Sequence, residues 1–319
     1  MYATRKEIMC KNKILLCCYL YNLNRLKQIE SILIKNKKLD IHLGVGKHNE
    51  NDPVLQKFLE KYTDRIYKLS YYENYGVDIY PFLNQLLSVD CDKYPYFIKL
   101  HSKESSWGSK RHVNWGDVLI DCLCNSFSLK HNTNLLSREH IGIISHPFLT
   151  LSYREINNTS KIKHMCNILD IDYSRVQNTK FPAGSMFMSK TKLFQKYFNK
   201  HHEYIQTLLS TETGKVDDRN YQNGTYCHSL ERIFGYIATN DKLAIHPSIM
   251  KNLCIYNKQY KKLHLHVAEN NTCYLVEDLN MYGKIIEESE NYYNIQWHHF
   301  DNKPIVKYNF LTPSIITSS

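Results

Sequence analysis

The sequence predicts an α/β fold: a doubly wound, mostly parallel sheet with helices on both faces, followed by a small all-β module. Three observations predict it. Lys13–Leu20 (KILLCCYL) and Ile141–Ser145 (IGIIS) are continuous apolar runs, the pattern of strands buried on both faces of a parallel sheet. Segments with an apolar stripe at helical spacing lie between the strand candidates. Beyond about Lys251 the helical spacing stops, and short β-like runs with turn signals replace it. The chain has 319 residues, 43% hydrophobic and 13% aromatic, enough for one large domain over 1–250 and a small module over 251–319.

The elements follow in order. After the first strand, Leu26, Ile29 and Leu33 stripe a helix over about 24–36, and Asp40–Val45 forms the second strand. Asp52-Pro53 opens the next helix, the acid as cap and the proline in the first turn. Arg65–Leu69 is a third, short strand. Ile79, Phe82, Leu83, Leu86 and Leu87 share one helix face, with Asp78 at the N-cap position. Asp78 therefore either caps this helix or, with Asn74 and Gly76, shapes a pocket at the sheet edge. Tyr96–Leu100 is the fourth strand. It runs into a loop holding His101, Lys103, Lys110, Arg111 and His112, and a helix begins at Trp115. A strand that leads through cationic donors into a helix can bind phosphates; on charge alone the plain reading, an ordinary solvated loop, wins.

Past Ile141–Ser145, a helix is expected near Lys161–Leu169. Phe181–Met188 (FPAGSMFM) reads as a turn feeding a strand, and one helix covers about Lys190–Leu209. Thr225 caps a helix whose Tyr226, Leu230, Ile233, Phe234 and Ile237 form the apolar face. His228, Glu231 and Arg232 fall together on the other face. A carboxylate beside a His and an Arg is a candidate general base, or a plain intrahelical ion-pair patch. In the tail, runs such as YGKIIEES and YYNIQW, joined at Ser289-Glu290-Asn291, suggest a meander or SH3-like barrel over roughly 260–310.

The formal net charge of +10 favours anionic partners. The basic residues are scattered, so no nucleic-acid arm is expected. None of the ten cysteines forms a C-x-x-C pair and several sit in apolar runs, which suits a reduced cytoplasmic compartment (host cytoplasm if the source is a virus). The apolar run Ile14–Leu20 is too short to span a membrane.

Four patches stand in a recognisable order: NYGVDIYPFL at 74–83, FIKLHSKES at 97–105 with Trp115 downstream, FPAGSMFM at 181–188 and GTYCHSLERIFGY at 224–236. Together they resemble the rhamnan synthesis protein F family, proteins associated with polysaccharide assembly and treated as glycosyltransferases. The likeness covers about residues 13–246. It implies a GT-A-like, Rossmann-type fold that takes a UDP-, GDP- or dTDP-linked sugar donor and a glycan acceptor. Tyr21, Asn74, Gly76, Asp78, His101, Ser102 and Lys103 would then surround the nucleotide-sugar. Gly184, Ser185 and Met186, with Arg232, would line the acceptor side. Glu231, with His228, would be the catalytic pair that deprotonates the acceptor hydroxyl, and single displacement with inversion is the simpler mechanism.

The sequence departs from the GT-A pattern at the fourth strand. His101-Ser102-Lys103 stands where many such enzymes carry Asp-x-Asp; Asp90-Cys91-Asp92 and Asp170-Ile171-Asp172 have the spacing but the wrong context. Lys103, Lys110 or Arg111, with His101, can neutralise a leaving diphosphate instead. A divalent cation, Mn or Mg, stays open, and no residue is assigned to it. The departure also motivates the alternative of a non-catalytic glycan- or nucleotide-binding protein on a degenerate transferase fold.

Overall fold

The computed structural model describes residues 13–102, 115–146, 149–152, 159–176, 179–212 and 224–248, together with six C-terminal strands. The chain divides into two compact units: 1–103 with 133–247, and 104–132 with 248–319. The second unit thus combines the expected C-terminal module with segment 104–132. Inside it, Ser248 donates to the Cys122 carbonyl at 2.6 Å, and the Asn132 amide donates to Ser248 Oγ at 2.9 Å.

The first unit is built on a seven-stranded sheet: β1 (Ile14–Leu20), β2 (Leu39–Gly46), β3 (Ile66–Tyr72), β4 (Tyr96–His101), β5 (Ile141–Ser145), β8 (Phe187–Lys190) and β9 (Ala244–Pro247). Its order is β3-β2-β1-β4-β8-β5-β9. Every neighbouring pair is parallel except those made by β8, which runs antiparallel to β4 and β5. This is the mostly parallel, Rossmann-type α/β architecture the sequence predicts. A separate two-stranded ribbon pairs β6 (Thr150–Ser152) with β7 (Lys180–Pro182). β1 is buried at all seven positions, which requires cover on both faces and explains its unbroken apolar run.

The helices are α1 (Leu26–Lys35), α2 (Pro53–Lys61), α3 (Ile79–Leu87), α4 (Trp115–Cys124), α5 (Ser126–Leu136), α6 (Thr159–Ile168), α7 (Tyr173–Val176), α8 (Thr191–Phe198), α9 (His202–Ser210) and α10 (Tyr226–Asn240). The Asp52 carboxylate accepts from the Val54 N–H and caps α2, as its position before Pro53 predicts. The single helix expected over 190–209 is two. A 3-10 turn at Asn199–His201 separates α8 from α9, in a polar stretch with no proline or glycine to announce the break.

One core lies between the sheet and α3, α6, α8, α9 and α10. Five phenylalanines form its centre. Phe82 and Phe97 ring centroids lie 5.4 Å apart, Phe187 and Phe194 5.3 Å, Phe194 and Phe234 5.6 Å. At these spacings each ring adds pair interaction to its burial. The α10 helix packs hard on β7 through Gly235. A Cβ there would stand 2.2 Å from the Lys180 carbonyl oxygen and 2.8 Å from Phe181 Cα, both backbone atoms that cannot swing away. Alanine should gain about 1 kcal/mol in helix propensity, yet lose roughly 1–3 kcal/mol or more to overpacking. Gly235→Ala is therefore expected to lower the denaturant midpoint; a midpoint equal to or above wild type would show that α10 can move off β7.

The C-terminal strands are β10 (Asn252–Tyr256), β11 (Lys262–Val267), β12 (Thr272–Leu275), β13 (Tyr282–Glu288), β14 (Tyr292–Trp297) and β15 (Ile305–Phe310). Each pairs antiparallel with the next, and β10–β15 closes the barrel. The expected meander is thus a closed one, which leaves no open sheet edge. The expected hairpin connection at 289–291 lies outside the described residues, although the strands it joins are paired. Among the described residues no helix is long and apolar enough to cross a membrane.

Candidate active site

The chain runs β1, β2, β3 toward one side of the sheet and then returns, placing β4 on the far side of β1. The carboxyl ends of β1 and β4 therefore flank the point where strand order reverses, the usual ligand crevice of an open α/β sheet. Ser102 joins the two ends. Its Oγ accepts from the Tyr21 N–H at 2.9 Å and the Asn22 N–H at 3.3 Å, while its own N–H donates to the Tyr19 carbonyl. Tyr21 carries the His48 ring against its own at 4.8 Å, and Asn74 reaches its hydroxyl only at 3.5 Å.

One strand further on, four sequence patches meet. Lys99, on β4, is 1% exposed; its ammonium bonds the Asp78 carboxylate and donates to Ser185 Oγ at 2.9 Å. Ser185 Oγ donates to Asp78 Oδ2 at 2.5 Å. His101 Nε2 lies 2.9 Å from the Gly184 carbonyl oxygen; because a carbonyl only accepts, that nitrogen carries the hydrogen. On the other side of the same residue, the Gly184 N–H donates to Glu231 Oε1 at 2.7 Å. Arg232 Nη1 donates to Glu231 Oε2 and to the His228 carbonyl, each at 2.7 Å, and its guanidinium lies 4.9 Å from the Phe181 ring centroid. Asp78, Lys99, His101, Gly184, Ser185, Glu231 and Arg232 thus form one continuous polar network at the carboxyl end of the sheet.

Two tight turns present this network. Gly76-Val77 and Gly184-Ser185 each hold two successive residues at positive φ: 54° and 53°, then 80° and 52°. Glycine adopts this freely; a β-branched valine does so only under constraint. The Asp78–Ser185 bond ties one turn to the other across 107 residues of sequence.

The electrostatics separate the two acids. Burial alone would push Asp78 up, but the charges of His101 and Lys99 and the hydrogen bonds from Lys99 and Ser185 hold it well below the ordinary 3.8. Glu231 goes the other way: burial raises it above the ordinary 4.5, and Arg232 and the Gly184 N–H oppose this without reversing it. Asp78 is therefore a fixed counter-charge, whereas Glu231 holds its proton more tightly than an exposed glutamate does.

The site residues expected from the sequence are distributed as follows. Asp78 occupies the N-cap position of α3, but its side chain makes no cap bond and instead bonds Lys99 and Ser185. Gly76 is buried and its N–H donates to the Glu212 carbonyl at 2.8 Å. His228 Nδ1 lies 2.6 Å from Oγ1 of Thr225, which caps α10. Met186 is 1% exposed: it packs inward at the start of β8 and offers an acceptor no surface. Lys103, Lys110 and Arg111 lie outside the described residues. Lys99 is the residue sequence reasoning passed over. Its signal was a lysine inside a buried strand, which must find a partner. Among the described residues no group of three or more His, Cys, Asp or Glu is placed to hold a metal ion.

No curated protein matches the chain. Among solved structures, TarS 1–349 of S. aureus aligns at 14% identity with a TM-score of 0.36, over 70% of this chain and 55% of that one. The chain thus spans about half the length of that structure. The family model for rhamnan synthesis protein F matches residues 2–243, a span holding all four patches and every residue of the network, and the chain belongs to that family.

Proposed function

We propose that this protein is a glycosyltransferase in polysaccharide assembly, moving a sugar from a nucleotide-sugar donor to a hydroxyl of a glycan acceptor. The observation that carries the reading is Glu231. Its carboxylate has a raised affinity for protons, faces the carboxyl end of the sheet, and is oriented by a backbone N–H and an arginine. In this reading Glu231 removes the acceptor proton as the hydroxyl attacks the anomeric carbon from the side opposite the leaving diphosphate, with inversion. Family membership, in proteins named for rhamnan synthesis, supports the substrate class.

The donor lies over the switch point, with Tyr21, Asn74 and Ser102 toward the nucleotide and the Asp78–Lys99–His101 cluster beneath the sugar phosphates. In this reading cations such as His101, or a Mn or Mg ion to which no residue is assigned, meet the charge on the leaving diphosphate. Melting with saturating UDP, GDP or dTDP, each with and without Mn²⁺, tests the donor site. A ligand at 100 times its Kd adds about 2.7 kcal/mol, worth roughly 4 °C in a chain this size. If none of the three raises the midpoint, the donor reading fails. Binding without turnover on any sugar donor would mark a glycan- or nucleotide-binding protein instead.

A further inference from the structure

Gly184 is held at both of its peptide groups. Its N–H points at Glu231, its carbonyl receives His101, and the next residue, Ser185, is fixed by Lys99 and Asp78. Both residues of this turn sit at positive φ, a conformation that persists only where surrounding structure imposes it. The Ser185 N–H donates to the Pro182 carbonyl at 3.2 Å, and its hydroxyl is held by the Lys99 ammonium and the Asp78 carboxylate. Lys99 itself has little freedom: it is 1% exposed, rises from a central strand, and lies 5.2 Å from the Phe82 ring centroid at the top of the aromatic core. Rigidity therefore passes from the core through Lys99 to Ser185, and from Ser185 to the Gly184 N–H that aims the Glu231 carboxylate.

We propose that Lys99 is the positioning residue of this site: through Ser185 it fixes the Gly184–Ser185 turn, and through that turn the orientation of the Glu231 carboxylate. That the oriented group is a catalytic base rests on the transferase reading above; the positioning itself does not. Lys99 touches neither Glu231 nor, in this arrangement, any reacting atom. The charged groups that act on Glu231 are Arg232 on its own helix, Asp78 beside the facing turn, and Lys99 on β4. Lys99 and Asp78 act on it with opposite sign, so removing both together leaves positioning as the main change.

The test uses the full chain labelled with ¹⁵N-glycine, which carries 11 glycines. In the wild type, one glycine amide shift follows the Glu231 titration and stops doing so in Glu231→Gln, which identifies Gly184. In Ser185→Ala, and in the double variant Lys99→Met/Asp78→Asn, which leaves no buried charge unpaired, that amide should cease to follow Glu231. Its hydrogen exchange should also quicken at least tenfold while the other glycines keep their rates. Combining all three substitutions should add nothing further, and Lys99→Arg, which keeps donors for both partners, should retain the wild-type behaviour. Unchanged Gly184 exchange and titration in Ser185→Ala and in the double variant would overturn the proposal. So would a uniform rise across all glycine amides, which would make Lys99 a general stability element. Turnover on UDP-, GDP- and dTDP-sugars, measured in parallel, separates the two ideas. Wild type that turns over none of these donors, with the Gly184 effects present, rejects the transferase reading and supports the positioning; turnover with no Gly184 effect rejects the positioning alone.

Discussion

Glu231→Gln should reduce transfer by about 10²–10⁴-fold, the usual worth of general base catalysis and roughly 3–5 kcal/mol of barrier. The substitution keeps the side-chain volume and an oxygen that can still accept from the Gly184 N–H, so the turn and the fold should survive. Donor binding should be unaffected, because the proposed nucleotide contacts, Tyr21, Asn74 and Ser102, belong to the β1–β4 crevice rather than to α10. The loss should therefore appear in kcat and leave the donor KM nearly unchanged. The pH profile gives an independent check. A base works only when ionised, and burial lifts Glu231 above the ordinary 4.5, so wild-type kcat should fall as pH drops through this raised value, at a higher pH than an exposed glutamate would give. The residual activity of the Gln variant should lack that acidic limb. Wild-type turnover in the variant, or the same limb retained, would move the base to another residue.

Much of the fold was legible because it depends on local pattern. β1 and β5 could be read from apolar runs, α2 from Asp52-Pro53, and α10 from Thr225 and the stripe behind it. The site was legible only in pieces. Asp78, Lys99 and Ser185 lie 21 and 86 residues apart along the chain, and no periodicity reports which distant side chains will share a carboxylate. The sequence left Asp78 divided between helix cap and pocket. In the fold its side chain makes no cap bond and bonds Lys99 and Ser185 instead. Lys99 was hidden by the strength of the pattern around it. Tyr96–Leu100 reads so well as a buried strand that its one lysine passes as a tolerated exception, although a fully buried ammonium is costly without a partner. Met186, just before β8, is 1% exposed, a burial that the turn signal at Gly184-Ser185 does not announce.

The buried pair makes the second large effect. In Asp78→Ala the Lys99 ammonium would remain 1% exposed, with Ser185 and the Phe82 ring still beside it but no counter-charge on its own bond. Removing one member of a buried ion pair costs about 3–5 kcal/mol, a large share of the 5–15 kcal/mol that holds a typical protein folded. The melting midpoint should fall by roughly 5–7 °C. Adding Lys99→Met should recover most of that loss, since replacing a whole buried pair with apolar groups is often near neutral; the two effects are thus strongly non-additive. The pH dependence has a definite sign. Asp78 is held below the ordinary 3.8 by its cationic neighbours, so its contribution is present above pH 3.8 and is lost only as pH falls through the much lower folded value. Glu231, raised in the fold, runs opposite: its contribution is full below its ordinary value and is lost as pH rises through the folded one. Wild type should therefore exceed Asp78→Ala throughout pH 5 to 8; because Asp78 is one of the charges that raise Glu231, the margin should narrow somewhat as pH rises through that range. Melts across that range decide the matter. A single variant within a degree or two of wild type, or a double variant as unstable as the single, would mean that Lys99 does not depend on Asp78 for its charge.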